Sequence, residues 1–269
     1  MSNPTRHILC LSGGKDSTAL AIYMRDRVPQ MEYVFCDTDK ELTETYEYLN
    51  RVEAFLGKKI VRLNAKAGFD HWLEVFGGYL PSPNMRWCTK LLKLKPFEEF
   101  VGSEPVISYV GLRADEDRVG YISTKANIKA VFPLKEAGID YAGVMSILKD
   151  SGIGLPPYLA WGRTHSGCYF CFFQRSIEWV RLLETHPEQF EEAMKYEKIS
   201  DEPGKTFTWN QEMPLSELRK PENVATIKQR YAEYEERIRK NRGDRKLVQI
   251  FADMDDDDDG AKACLICQL

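Results

Sequence analysis

The sequence lacks a long hydrophobic run. No stretch approaches the roughly 18 consecutive apolar residues that a membrane-spanning helix needs. The polar start over residues 1–6 has no apolar segment of the kind found in secretion signals. We therefore expect a cytoplasmic protein that does not bind to or enter a membrane.

A strong charge of either sign is also missing. The 269 residues carry 37 Lys and Arg against 41 Asp and Glu, a net charge of −4. This balance excludes a protein held on nucleic acid by bulk charge. Residues 216–247 are locally basic, with ten basic and six acidic side chains. We interpret them as a solvated helix end that complements the helix dipole, with a nucleic-acid contact as the alternative.

The cysteine count does not fit a disulfide framework. Seven is an odd number, and four of the cysteines form two Cys-x-x-Cys pairs, Cys168/Cys171 and Cys264/Cys267. In a reducing compartment, such pairs indicate metal or redox chemistry. The second pair follows five consecutive aspartates, and we interpret that region as a dispensable tail, with a persulfide-carrying arm as the alternative.

Short β-branched runs alternate with helical patterns in the first half of the chain, which predicts a doubly wound, mostly parallel α/β sheet. Predicted strands cover residues 7–11, 33–36, 59–63, 106–110 and 128–132, with helices over 17–27 and 43–56. Residues 68–84 show no clear period and are predicted to be irregular. Helical patterns follow at 176–184, 188–197 and about 224–240. We divide the chain into a nucleotide domain (1–175), a helical extension (176–250) and an acidic tail (251–269).

The strongest local motif is Ser12-Gly13-Gly14-Lys15-Asp16-Ser17, between a predicted strand and a predicted helix. Such a loop directs backbone N–H groups and a helix N-terminus at one point, and glycines let an anion approach closely. The motif predicts a phosphate cradle, although the Walker spacing is absent.

This motif resembles the signature of the N-type ATP pyrophosphatases, which cleave ATP between the α and β phosphates. By that resemblance, the six residues Ser12, Gly13, Gly14, Lys15, Asp16 and Ser17 hold pyrophosphate, and Asp16 assists Mg²⁺. Further motifs resemble the phosphoadenosine phosphosulfate reductase family: Phe35-Cys36-Asp37-Thr38-Asp39, Arg86-Trp87-Cys88-Thr89-Lys90, Gly111-Leu112-Arg113, Phe132-Pro133-Leu134 and Gly167-Cys168-x-x-Cys171. The implied fold is that of the adenine nucleotide alpha hydrolases.

The motifs supply the remaining candidate nucleotide residues. Asp37 and Thr38 follow a predicted strand, where ligands bind in open α/β sheets, and can accept a hydrogen bond from ribose or base. Gly111 and Arg113 follow another strand, and we predict that the Arg113 guanidinium contacts phosphate. The alternative for Arg113 is a surface ion-pair group with Glu116 and Arg118. We predict Lys15, Asp16 and Arg113 as the catalytic residues.

Cys88, Cys168 and Cys171 fall where iron–sulfur members of the family place their cluster ligands. Because Thr89 replaces the second cysteine of the usual pair, the resemblance implies a [4Fe–4S] cluster held by three thiolates, with one iron open. A fourth ligand from Cys36, Cys264 or Cys267 is the alternative. A structural zinc site that includes His165, and inert buried thiols, are two further alternatives.

The intact loop distinguishes this chain from reductases that consume a preformed sulfonucleotide, in which the loop is generally degraded. The resemblance therefore implies an ATP-dependent sulfurtransferase, specifically the sulfur-inserting component of DNA phosphorothioation. Its implied partners are a cysteine desulfurase and DNA, together with other modification proteins, and a homodimer is compatible with it. The alternatives are a sulfonucleotide reductase, a tRNA thiolase, and a non-catalytic nucleotide-sensing subunit with a structural metal.

Overall fold

The computed structural model describes residues 5–117, 123, 125–200, 202, 206–210 and 212–241. Within these ranges, five strands form one sheet in which every pairing is parallel. The strands are β1 (Arg6–Cys10), β2 (Glu32–Asp37), β3 (Ile60–Asn64), β4 (Val106–Tyr109) and β5 (Ile128–Val131). All five predicted strands are confirmed, and each strand end lies within one residue of its predicted position.

The helices of the first half cover and connect the strands. They are α1 (Lys15–Met24), α2 (Thr43–Leu56), α3 (Phe69–Val75), α4 (Trp87–Thr89), α5 (Lys95–Val101), α6 (Pro133–Glu136) and α7 (Tyr141–Asp150). A π-helix, Lys90–Leu94, joins α4 to α5, and a 3₁₀ turn covers Pro157–Leu159. Four helices follow: α8 (Ser176–Thr185), α9 (Pro187–Lys195), α10 (Leu215–Leu218) and α11 (Pro221–Asn241).

The two faces of the sheet bury different side chains. Alternate residues of β1 point to opposite faces, so Leu9 packs in the core formed with α1, α2 and α7, while Ile8 packs with α5. Both faces are therefore covered by helices, which confirms the doubly wound α/β prediction and the helical character of the C-terminal region.

The strand order β3-β2-β1-β4-β5 places the topological switch between β1 and β4. Chain connections leave these two neighbouring strands in opposite directions, which opens a crevice at their carboxyl ends. The loops after β1, β2 and β4 all lie at this edge. The candidate residues Ser12, Thr38 and Arg113 follow those three strands, so the topology brings them to one edge of the sheet.

Some helices differ from the sequence prediction and others match it. The segment 68–84, predicted to be irregular, contains α3, whose short length and flanking glycines hide the helical period. Helix α1 begins at Lys15, two residues before the predicted start, and ends at Met24, before the predicted Arg27. Helix α2 has the predicted bounds, and Gly57 ends it in the left-handed conformation, with φ of 62°.

The chain separates into two compact units. The first contains the described residues up to Trp72 together with the described part of Trp87–Cys168, and it includes the whole sheet. The second contains Leu73–Arg86 and the described residues from Tyr169 onward, where α8 packs against α9 and α11. The predicted tail 251–269, with Cys264 and Cys267, lies outside the described residues, as do Arg118 and the basic residues beyond 241. Among the described helices, none is both long and apolar enough to cross a membrane.

Candidate nucleotide site

The loop between β1 and α1 is shaped by two glycines. Gly13 has φ of 70°, and a Cβ there would lie 2.8 Å from Cγ2 of Thr45. A Cβ on Gly14 would lie 2.8 Å from Oγ of Ser166 and 3.1 Å from Oγ of Ser12. Any side chain at either position would therefore collide with a neighbour, which explains why the motif has glycines there.

Serine hydroxyls line this loop. The backbone N–H of Ser12 donates to Oγ of Ser17 at 3.2 Å, and the Ser17 hydroxyl donates to the carbonyl of Gly14 at 3.2 Å. The two hydroxyl oxygens are 3.1 Å apart. These contacts hold the first turn of α1 and the preceding loop in one conformation, and the N-terminus of the helix follows the carboxyl end of β1.

Lys15 and Asp16 begin α1 as an ion pair, with Nζ 3.2 Å from Oδ2. The backbone N–H of Lys15 donates to the hydroxyl of Tyr158 at 3.1 Å. Burial raises the pKa of the Tyr158 hydroxyl above its ordinary value. An aromatic ring, that of Tyr141, lies 5.9 Å from Nζ of Lys15.

Arg113 is surrounded by three carboxylates. Its Nη1 donates to Oδ1 of Asp16 at 2.9 Å and lies 3.1 Å from Oε1 of Glu116, while its Nε donates to Oδ1 of Asp115 at 2.9 Å. Burial acts to lower the pKa of Arg113, but the charges of Asp16 and Glu116 outweigh it and raise that pKa. The predicted phosphate contact of Arg113 remains a prediction, and the contacts present join Arg113 to Asp16.

Gly111 allows this ion pair to form. A Cβ on Gly111 would lie 3.0 Å from the carbonyl carbon of Asp16 and 3.1 Å from the backbone nitrogen of Ser17. Both are backbone atoms at the start of α1 and cannot move aside. The segment after β4 therefore approaches α1 closely only because residue 111 has no side chain.

Asp37 and Thr38 lie at the end of β2, and both are buried. Oδ1 of Asp37 accepts a hydrogen bond from the hydroxyl of Tyr46 at 2.7 Å and one from the backbone N–H of Asp39 at 3.0 Å. The Thr38 hydroxyl donates to Oε1 of Glu41 at 2.9 Å. The structure places both predicted residues at the expected edge, where their polar atoms already have protein partners.

Glu41 connects this edge to Cys168. Its Oε1 lies 3.8 Å from Sγ of Cys168, and that sulfur is 3.1 Å from Oγ1 of Thr38. Burial raises the pKa of the Glu41 carboxyl, while the charge of Lys93 and the hydrogen bond from Thr38 act in the opposite direction. The thiol of Cys168 therefore lies beside a buried carboxyl group at the carboxyl end of β2.

The three predicted cluster ligands are partly exposed, and they divide between the two units. Cys88 and Cys168 belong to the first and Cys171 to the second. In the part of the chain that the structure describes, no three His, Cys, Asp or Glu side chains are arranged to hold a metal ion. The cluster remains a prediction from the family resemblance.

Cys10 and Cys36 are buried in the sheet and differ from the other cysteines. Burial raises the pKa of both thiols, that of Cys36 to about 12. The Cys36 thiol also donates to the backbone carbonyl of Lys93 at 3.6 Å. These contacts favour inert core thiols at both positions.

Sequence reasoning gave no role to Glu41, Tyr158 and Ser166. Glu41 could have been noticed as a carboxylate four residues after Asp37, in a loop that follows a buried strand. Ser166 directly precedes the motif Gly167-Cys168-x-x-Cys171, and that position is the only sequence signal for it. Tyr158 has no such signal, because only the folded chain brings its hydroxyl to the start of α1.

A family model described as the phosphoadenosine phosphosulfate reductase domain matches residues 6–172, more than half of the chain. The chain belongs to this family. Membership confirms the resemblance inferred from the motifs. The matched residues include the whole sheet, the Ser12–Ser17 loop and all three predicted cluster ligands.

Individual proteins are similar to part of the chain. An uncharacterized protein from Methanocaldococcus jannaschii is 27% identical over 192 residues, which cover 66% of this chain and 44% of that protein. An adenosine 5'-phosphosulfate reductase from Bacillus cereus is 29% identical over 98 residues, which cover 36% of this chain and 42% of the reductase. The chain therefore spans less than half the length of either relative.

Among solved structures, the chain is similar to a phosphoadenylyl-sulfate reductase from Candida auris in its phosphate complex. The two are 17% identical, with a TM-score of 0.49, over 62% of this chain and 82% of the reductase.

Proposed function

We propose that the chain is an ATP-dependent sulfurtransferase that adenylates an acceptor, releases pyrophosphate and then inserts sulfur. The observation that carries this proposal is the complete Ser12–Ser17 loop. Its two glycines have no room for a side chain, and its serine hydroxyls and helix N-terminus lie together at the switch point of the sheet. A site of this kind suits an anion with several phosphate oxygens.

In the proposed reaction, an oxygen of the acceptor attacks the α phosphorus of ATP. The bond between the α phosphorus and the bridging oxygen breaks, and pyrophosphate leaves with the electron pair. Lys15 and Arg113 both contact Asp16. In the proposed complex, these two cations stabilise the negative charge that develops on pyrophosphate. Asp16 supplies the carboxylate oxygens that Mg²⁺ prefers, and the bound ion would neutralise phosphate charge.

Sulfur then displaces AMP from the activated acceptor. We propose that the outer sulfur of a cysteine persulfide, loaded by a cysteine desulfurase, attacks the activated acceptor atom, and AMP leaves with the electron pair of the broken bond. A thiol reductant then cleaves the resulting disulfide, so that one sulfur stays on the acceptor and the reductant is oxidised to a disulfide. A cluster bound by Cys88, Cys168 and Cys171 is the other sulfur source that we propose. We assign no step of the reaction to that cluster. The acceptor we propose is a non-bridging oxygen of the DNA backbone, modified together with other proteins of a phosphorothioation system.

The first test is release of pyrophosphate from ATP by the purified protein. We expect release from the wild type and its loss in Lys15→Ala, because that variant removes a cation from the start of α1. Lys149→Ala is the matched control, since Lys149 is exposed near the end of α7. Equal release by Lys15→Ala and the wild type would contradict the proposal.

The acceptor is tested in a separate reaction with DNA, ATP, the desulfurase and cysteine. We expect phosphorothioate-linked dinucleotides in the nuclease digest by mass spectrometry, absent when ATP is omitted. If sulfur were found in added tRNA and none in DNA, the sulfurtransferase proposal would stand, and the acceptor would be tRNA instead of DNA.

A sulfonucleotide reductase is the second candidate, favoured by the similarity to the Bacillus cereus adenosine 5'-phosphosulfate reductase. Such an enzyme would release sulfite from a sulfonucleotide in the presence of a thiol reductant and would not need ATP. We expect no sulfite from this protein. Sulfite release without pyrophosphate formation would favour the reductase.

A further inference from the structure

A segment distant in sequence reaches the phosphate loop. The Oγ of Ser166 is 3.3 Å from the Oγ of Ser12 and lies in the space that a side chain on Gly14 would occupy. Ser166 is itself buried. Together with Ser12 and Ser17, it forms a row of three hydroxyls along one side of the loop.

The segment that carries Ser166 is fixed from within. The Arg163 side chain is only 2% exposed, and it donates to the backbone carbonyls of Gly167 at 3.2 Å and Cys168 at 2.8 Å. Gly167 has φ of 135°, a conformation that other residues rarely adopt. At its end, the thiol of Cys168 contacts Thr38 at the edge of β2. Residues 163–168 therefore connect the phosphate loop to the end of β2.

Among the three serines, the hydroxyl of Ser166 is the one best suited to donate a hydrogen bond to a bound anion. The Ser17 proton is directed to the carbonyl of Gly14, whereas the Ser166 hydroxyl donates to a neutral hydroxyl over a long 3.3 Å. A hydroxyl rotates freely about its C–O bond, and a charged oxygen is a much stronger acceptor than a neutral one.

We propose that Ser166 is the third hydroxyl of the anion site, donating to a phosphate oxygen of bound pyrophosphate or ATP and thereby ordering residues 163–168. This inference rests on the proposed function of the Ser12–Ser17 loop. It assigns a binding residue outside the recognised motif, on the segment that ends at Cys168.

The direct test is the affinity for magnesium pyrophosphate, measured by calorimetry. Ser166→Ala should bind about tenfold more weakly, since a hydrogen bond to a charged group has that effect. Ser146→Ala makes the same change on the exposed surface of α7 and should bind like the wild type. Equal unfolding midpoints for the variants would establish that folding is intact.

A double variant tests the geometry. Gly14→Ala should weaken binding because its methyl group would collide with the Ser166 hydroxyl. In a Ser166→Ala background that collision is absent, so the same change should weaken binding less. An equal loss in both backgrounds would overturn the placement of Ser166.

Hydrogen exchange of the wild type tests the ordering without any substitution. Pyrophosphate should slow the exchange of the backbone amides of residues 163–168, and Ser166→Ala should lose this protection. Unchanged exchange in the wild type, or tight binding by Ser166→Ala, would overturn the inference alone. A wild type that binds neither pyrophosphate nor ATP would overturn the proposed function as well.

Discussion

Arg113 and Asp16 form a buried ion pair, with Nη1 2.9 Å from Oδ1, that joins the segment after β4 to the first turn of α1. The pair links the two strands that flank the switch point, because Arg113 follows β4 and Asp16 follows β1. Its geometry depends on Gly111, two residues earlier.

Gly111→Ala should destabilise the protein and weaken ATP binding. The added methyl group would meet backbone atoms of Asp16 and Ser17, so α1 or the segment after β4 must shift. We expect a loss of about 1–3 kcal/mol in the free energy of unfolding, as for other overpacked sites, measured in urea. Gly68→Ala is the control, because no atom lies within 4 Å of its added Cβ and it should unfold like the wild type.

Arg113→Met should lower the free energy of unfolding by about 3 kcal/mol, because it removes the guanidinium that contacts the buried carboxylate of Asp16 and the half-buried carboxylates of Asp115 and Glu116. Arg113→Lys should lose less, since it keeps the charge but not the planar fork. Arg230→Met, at an exposed position of α11, should change stability by less than about 0.5 kcal/mol. If Arg113→Met were as stable as that control, the ion pair would have no structural role.

From the surroundings of Glu197, we expect the free energy of unfolding of the second unit to depend on pH. Its carboxylate accepts backbone N–H groups from Trp209 at 3.0 Å and Leu215 at 2.7 Å, yet burial raises its pKa above the ordinary value of 4.5. A raised folded-state pKa gives stability that is complete below about pH 4.5 and is lost as pH rises through the folded-state value.

The measurement is urea unfolding of the wild type and Glu197→Gln across that pH range. The variant loses one acceptor and starts less stable, but its stability should fall less with rising pH. Glu235→Gln, at an exposed position of α11, should retain the slope of the wild type. Parallel curves for all three proteins would show that Glu197 does not titrate differently in the folded state.

The cysteine prediction is tested by anaerobic purification. A cluster would give a brown protein with broad visible absorption, and Cys88→Ser, Cys168→Ser and Cys171→Ser should each lose the colour. Cys10→Ala removes a thiol from the core of the sheet, and this variant should keep the brown colour. A colourless wild type containing only zinc would contradict the cluster and favour the structural-metal alternative.

The sheet could be predicted from sequence because buried parallel strands are short β-branched runs, as in Val106–Tyr109. Helix α7 was missed, although Asp140 caps it by accepting from the N–H of Gly143, and Val144 and Leu148 have helical spacing. The π-helix over Lys90–Leu94 has no sequence signature comparable to a cap or a repeat.

The candidate site was predictable only where its residues are neighbours in sequence. The Ser12–Ser17 loop is one continuous motif, and its two glycines indicate a backbone that has no room for side chains there. Ser166 approaches Ser12 across 154 residues, and Glu41 meets Cys168 across 127. These contacts depend on which loops lie at the same edge of the sheet. A local sequence pattern does not encode that arrangement.

Because Lys15 and Arg113 already share Asp16 as a counter-ion, the site has little positive charge to act at long range. An arriving phosphate would replace a carboxylate as the partner of these cations, in an exchange of one anion for another. Its affinity would then depend on the shape of the loop, and ionic strength would change it less than two unpaired cations would require.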